Sequence, residues 1–250
     1  MSGGSYELRS YSGIGKCFLH AGMTLHFPIP EYGADSTEKR GKEMKIERFV
    51  IGPVGTNCYI VINEETKECF LTDPAACPPE LVSHIRDTGL QVKAVLLTHG
   101  HFDHIMGLDD LVKEFPVPVY AHEAEDALLE DARLNSSSGM YGRGYTFSGA
   151  EYLKDGQVIT IAGFEIHVIH TPGHTAGGCC YYIPAENVLI SGDTLFHASI
   201  GRTDLPTGSS SQLVRSVREK LLVLPEETRV YPGHMEETTI GYEKKYNPFV

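Results

Sequence analysis

The segment Thr98-His99-Gly100-His101-Phe102-Asp103-His104 follows directly on the apolar run Val95-Leu96-Leu97. Four possible metal ligands, His99, His101, Asp103 and His104, crowd together where a buried strand would end. Ionisable side chains in an interior cost free energy unless they are paired or bound to a metal. Stability alone is therefore a poor account of this density. Imidazole and carboxylate together suit a divalent cation such as zinc, iron or manganese. The run demands a fold that holds a strand end rigidly and leaves space for a cation beside it.

Three later segments are of the same kind. Val168-Ile169-His170-Thr171-Pro172-Gly173-His174, Val188-Leu189-Ile190-Ser191-Gly192-Asp193 and Val230-Tyr231-Pro232-Gly233-His234 each place a ligand type in a glycine-bearing turn after an apolar run. Strand ends with tight turns hold side chains firmly at one rim of a sheet, as a metal site requires.

Between these segments strands and helices alternate. Cys58–Ile62 and Glu68–Thr72 read as paired strands, and Pro79–Thr88 as a helix with proline in its first turn and Gly89 as its stop. Ala94–Leu97 reads as a buried strand, Met106–Phe115 as a helix, Val117–Ala121 as a strand and Glu123–Leu134 as a helix. Residues 135–150 form a polar, glycine-rich loop. Gln157–Ile161 with Phe164–His170, and Cys179–Ile183 with Val188–Ile190, read as hairpins. Leu213, Val217 and Leu221 give the stretch Gln212–Leu222 one apolar helical face. Arg229–Tyr231 is a last strand and Thr239–Tyr246 a last helix. Two runs of strands, each followed by helices, predict two sheets face to face with helices outside. Residues 1–44 show no clear period and form an N-terminal extension of unknown role, so the folded domain is expected over 45–250. Gly13-Ile14-Gly15-Lys16 lacks the spacing and the preceding strand of a phosphate loop.

The chain has 250 residues and a net charge of −12, with no basic stripe that would suit nucleic acid. No apolar run reaches the roughly 20 residues that span a bilayer, and no secretory signal pattern opens the sequence. The six cysteines follow no framework spacing, and Cys179-Cys180 would point to opposite faces of a strand. Reduced thiols in a cytoplasmic protein are the expected reading.

His-x-His-x-Asp-His, followed by a lone His, a lone Asp and a final His, resembles the metallo-β-lactamase superfamily over about residues 45–250. The resemblance implies an α/β fold, a four-layer αββα sandwich. It implies that His99, His101 and His174 hold one divalent ion, that Asp103, His104 and His234 hold a second, and that Asp193 bridges them. Zinc is the first expectation for both ions, with iron or manganese as alternatives. A structural site is disfavoured, since structural zinc is usually closed and rich in cysteine. Of the other histidines, His84 and His122 are expected at the surface or an edge. His170 is expected either to orient a ligand or to be structural.

The chemistry so implied is hydrolysis by a hydroxide held between two metal ions, with Asp103 orienting the nucleophile. No strong general acid is evident, which favours a leaving group that needs no proton. A thiolate, with a pKa of about 8.5, is such a group. Gly52-Pro53, Thr56-Asn57-Cys58-Tyr59, Gly192-Asp193-Thr194-Leu195-Phe196 and Tyr231-Pro232-Gly233-His234 resemble the glyoxalase II (hydroxyacylglutathione hydrolase) branch. That branch implies a small-molecule thioester substrate such as S-(hydroxyacyl)glutathione. It also implies a basic residue, here Arg202, on the substrate carboxylate. A salt bridge from Arg202 to Asp204 is the competing reading. Asp204 stands where the branch has a substrate-contacting tyrosine. Only 16 residues follow His234, so the sequence is closer to the short single-domain relatives. Tyr141, Arg143 and Tyr145 could supply other contacts. The alternative activity is a persulfide dioxygenase, which would use one iron on His99, His174 and Asp193.

Overall fold

The computed structural model describes residues 43–140 and 144–250. The extension expected over 1–44 lies outside the described residues except for Glu43 and Met44. Tyr141 and Arg143 also lie outside them.

The chain opens with β1 (Met44–Ile51), β2 (Thr56–Asn63) and β3 (Glu68–Thr72), then α1 (Pro79–Asp87) and β4 (Gln91–Leu96). Two short helices follow, α2 (Phe102–Ile105) and α3 (Leu108–Glu114), then β5 (Val119–His122), α4 (Asp126–Glu130), α5 (Ser137–Met140) and β6 (Ala150–Leu153). The second half runs β7 (Val158–Ile161), β8 (Phe164–His170), β9 (Cys179–Ile183) and β10 (Val188–Gly192). A small ribbon of β11 (Leu195–Phe196) and β12 (Ser199–Ile200) precedes α6 (Ser210–Ser216), β13 (Arg229–Pro232), β14 (Thr238–Thr239) and α7 (Ile240–Tyr246).

Two six-stranded sheets result, in the orders β1-β2-β3-β4-β5-β6 and β14-β13-β10-β9-β8-β7. The first begins as an antiparallel meander and becomes parallel from β3 to β6. Alternation along the strands builds the layers, because successive side chains leave a strand on opposite faces. In β2, Cys58, Ile60 and Ile62 pack with Leu81 and Ile85 of α1 and Leu108 and Leu111 of α3. Tyr59 and Val61 face the other way, onto Ile166, Val168, Tyr181 and Ile190 of the second sheet. The outer face of that sheet, with Cys180, Tyr182, Leu189 and Val230, is covered by Val217, Leu221 and Ile240. The order is helices, sheet, sheet, helices: a four-layer αββα sandwich with three apolar interfaces.

The expected elements differ from the observed ones in three instructive places. The helix predicted over Met106–Phe115 forms as α3 but starts two residues later, at Leu108, because Gly107 donates its N–H to Pro74 O (2.9 Å) and separates it from α2. The helix predicted over Glu123–Leu134 is a 3₁₀ turn plus α4 that stops at Glu130. Asp131 ends it by turning its carboxylate onto the backbone N–H of Arg133 at 2.8 Å. Within the loop predicted over 135–150, α5 forms, and Ala150 starts a strand that pairs with β5. Tyr145 packs against the helix-side core, and its backbone N–H donates to Ser137 Oγ.

Candidate metal centre

The metal-ligand types predicted from sequence converge at one rim of the two sheets. His99 and His101 lie in the loop after β4, Asp103 and His104 on α2, His174 after β8, Asp193 after β10 and His234 after β13. Each apolar run anchors its strand in the core, and the polar residues beyond it emerge at the open end.

The side chains form two groups that meet at Asp193. In the first, His174 Nε2 lies 2.9 Å from His101 Nδ1 and 3.2 Å from His99 Nε2. In the second, His234 Nε2 lies 3.3 Å from Asp103 Oδ2, and His104 Nε2 lies 3.9 Å from the same oxygen. Asp193 reaches both: its Oδ2 is 3.5 Å from His174 Nε2 and 3.6 Å from His234 Nε2, and its Oδ1 is 3.5 Å from His104 Nε2. His99, His101, His104 and His174 are buried, and the two aspartates are nearly so.

The separations around Asp103 and Asp193, 3.3–3.9 Å, suit ligands of a shared cation better than hydrogen-bond partners. Donors about 2.0–2.1 Å from a tetrahedral zinc stand roughly 3.3 Å from one another. His104 Nε2 and Asp193 Oδ1 are buried and make no hydrogen bond, a cost that a cation between them would remove. The charges point the same way. Burial, reinforced by the neighbouring histidines, keeps His99 well below its ordinary pKa and takes His101 down to about 3. Both are thereby held neutral, as metal ligands must be. At Asp103 burial is outweighed by His104 and His234, which keep its carboxyl well below the usual carboxylate range. At His104 burial is outweighed by Asp193, Asp73 and Asp103, which raise it to about 10. Three carboxylates around one buried imidazole make a pocket that favours positive charge, and a divalent ion meets that demand. The residues therefore fit the expected metal ions.

Close packing keeps the rim narrow. A Cβ on Gly233 would fall 2.3 Å from Asp193 Oδ1 and 2.7 Å from His104 Cε1, so only glycine allows the β13 loop to approach this closely. Thr56 Oγ1 donates to Asp103 O at 2.8 Å, and Asn57 Nδ2 donates to the carbonyls of Pro232 and Met235 at 2.9 Å each.

Sequence reasoning missed two buried carboxylates behind the centre. Asp73, at the end of β3, accepts from Thr98 N (2.8 Å) and Thr98 Oγ1 (2.7 Å), and its Oδ2 lies 3.1 Å from His104 Nδ1. It thus turns the far side of that ring toward Asp193. The parallel pairing of β3 with β4 is what brings Asp73 under Thr98. Glu125 accepts from Gly100 N (2.9 Å), Gly177 N (2.8 Å) and Thr175 Oγ1. Burial pushes its carboxyl up to about 7 despite those donors.

The remaining expectations divide. His122 is not at the surface: it is buried and stacks on His170 with ring centroids 4.0 Å apart. The strand end that carries it lies under the His174 loop, which is why the ring is covered. His170 bonds Ala176 O at 2.9 Å, so its role is to brace that loop. Arg202 makes the salt bridge: Nε and Nη2 each donate to Asp204 at 2.7 Å, and both side chains are exposed. Its backbone carbonyl accepts from His174 Nδ1 at 2.7 Å, fixing the tautomer that turns Nε2 inward.

Comparison with known proteins agrees with this geometry. The profile of the metallo-β-lactamase superfamily matches residues 51–234. The chain is 40% identical over 208 residues to the probable metallo-hydrolase YqgX of Bacillus subtilis, covering 83% of this chain and 98% of that one. It is 32% identical over 209 residues to the hydroxyacylglutathione hydrolase GloC of Haemophilus influenzae, covering 83% and 98%. Among solved structures it resembles the B3 metallo-β-lactamase BLEG-1 (TM-score 0.78, 42% identity, 82% and 99% coverage). It also resembles TTHA1623 in a di-iron-bound form (TM-score 0.72, 37% identity, 82% and 100% coverage).

Proposed function

The chain belongs to the metallo-β-lactamase superfamily, and from that premise we propose that it is a binuclear metal-dependent hydrolase of small-molecule thioesters such as S-(hydroxyacyl)glutathione. The observation that carries the reading is Asp193 standing within 3.5–3.6 Å of imidazoles from both ligand groups. His99, His101 and His174 would hold one ion, and Asp103, His104 and His234 the other, with the Asp193 carboxylate between them. Two divalent ions there supply a water of lowered pKa and an electrophile for the carbonyl oxygen.

The chain's own residues supply orientation. Asp103 would hold the second ion through Oδ2, the oxygen 3.3 Å from His234 Nε2, and its other oxygen would accept a hydrogen bond from the attacking water. Arg202 O fixes His174, and Asp73 fixes His104. With His104 and His234 taken up as metal ligands, neither would be free to protonate a poor leaving group. A thiolate leaves unaided near neutral pH. The likeness to a hydroxyacylglutathione hydrolase supports the same substrate class. The Arg202 guanidinium would receive a substrate carboxylate by exchanging it for Asp204, since an exposed pair is screened by water and weakly held.

The single-iron dioxygenase reading uses only His99, His174 and Asp193, and leaves the convergence of Asp103, His104 and His234 without a role. Three measurements together test the proposal: metal content per chain, hydrolysis of S-lactoylglutathione, and oxygen uptake with glutathione persulfide. Two ions with hydrolysis support it. One iron with oxygen uptake overturns it.

A further inference from the structure

Glu125 lies just beyond the end of β5, on none of the segments that carry the metal ligands. Its side chain is buried, and among the described residues no lysine or arginine pairs with it. A buried carboxylate without a cation is costly, and an apolar residue would fill the same space at less cost. What the carboxylate does instead is specific. Oε2 accepts the N–H of Gly100, the residue between His99 and His101, at 2.9 Å. Oε1 accepts the N–H of Gly177 at 2.8 Å and the hydroxyl of Thr175, the residue after His174. The two oxygens thus grip two different loops, and those loops carry all three histidines of the first group. The fit is close: a Cβ on Gly177 would stand 2.4 Å from Glu125 N.

The second group is braced by other residues. Thr56 holds Asp103 O, Asp73 faces His104 Nδ1, and Asn57 holds the carbonyls on either side of Gly233 and His234. None of these bonds passes through Glu125.

We propose that Glu125 is a positioning residue for the first metal site alone: its carboxylate sets the separation between the His99–His101 loop and the His174 loop. The inference rests on the two-ion reading above. A carboxylate is required because all three facing groups are donors. In Glu125→Gln one oxygen becomes an NH₂ group, which must face either Gly100 N–H or the Gly177–Thr175 pair, and one loop is released.

The test is cobalt titration of the full-length protein at pH 8, followed by visible absorption. Wild-type protein taking up two cobalt ions establishes the reading beneath the inference, and failure to do so overturns that reading. Glu125→Gln is expected to lower the affinity for one of the two ions by about 10–100-fold and to alter its absorption band, leaving the other ion bound as in wild type. Thr175→Ala removes one donor and is expected to act in the same direction, more weakly, while Thr175→Ser restores wild-type binding. A merely structural Glu125 would weaken both ions together, in step with a lower melting temperature. That outcome, or two unchanged ions in folded Glu125→Gln and Thr175→Ala, overturns the proposal.

Discussion

Replacing Asp73 by asparagine isolates the support of one ligand. Asp73 Oδ1 accepts Thr98 N at 2.8 Å, and an asparagine oxygen can keep that bond. The other position, now NH₂, faces Thr98 Oγ1 at 2.7 Å and His104 Nδ1 at 3.1 Å. The hydroxyl can turn and accept. The imidazole has a harder choice. Either Nδ1 keeps its hydrogen and meets a donor, or it gives that hydrogen up and Nε2 becomes protonated. Nε2 is the atom facing Asp193, and a protonated nitrogen cannot bind a metal. Losing the 3.1 Å ion-pair contact between this imidazole and a buried carboxylate should cost about 1.5–3 kcal/mol, the range for a contact to a charged group. At about 1.4 kcal/mol per tenfold, the second ion should bind roughly 10–150-fold more weakly. Competition against a chromophoric chelator reads this directly, ion by ion; the first ion, whose His99 touches Asp73 only through Thr98, should be affected less. An unchanged second affinity in a correctly folded variant would refute the argument, and so would equal loss of both ions.

Three further outcomes follow from the same geometry. Gly233→Ala should abolish binding of at least one ion while the protein stays folded, because the added Cβ would sit 2.3 Å from Asp193 Oδ1; metal analysis with circular dichroism checks it. His122 has its pKa lowered to about 4, chiefly by burial and then by His170. A depressed imidazole contributes stability above the unfolded value of about 6.5 that is lost as pH falls toward 4. At 1.36 kcal/mol per unit the loss is at most about 3.4 kcal/mol, so His122→Gln should flatten the fall in chemical-denaturation stability between pH 6.5 and 4; an equally steep fall in the variant would count against it. Arg202→Ala should raise KM for an anionic thioester and leave kcat little changed, whereas Asp204→Asn should lower KM by freeing the guanidinium. Unchanged KM values in both would assign Arg202 to its carbonyl contact with His174 alone.

Much of this architecture is legible in the residues because two simple patterns carry it. Alternation in β2 separates Cys58, Ile60 and Ile62 from Tyr59 and Val61, and those two sets form two different interfaces. The ligands announce themselves as polar residues in glycine-bearing turns after apolar runs, and the four such turns do meet at one rim. The supporting residues carry no comparable signal. Asp73 sits beneath Thr98 only because β3 and β4 pair in parallel across α1, a long-range fact that no local pattern encodes. Glu125 is one of several acids in the run from Glu123 to Glu130, and nothing local distinguishes the one that turns inward. His122 looks like an edge residue until the His174 loop folds over it. The broken helices fail for a related reason: Gly107 and Asp131 spend their backbone or side-chain bonds on tertiary partners or local turns that periodicity does not register.

The most direct test of the account is anomalous X-ray diffraction from crystals of the metal-loaded protein. It predicts two peaks per chain on either side of the Asp193 carboxylate, one among His99, His101 and His174, the other among Asp103, His104 and His234. A single peak on His99, His174 and Asp193, with Asp103 and His234 unligated under saturating metal, would contradict it.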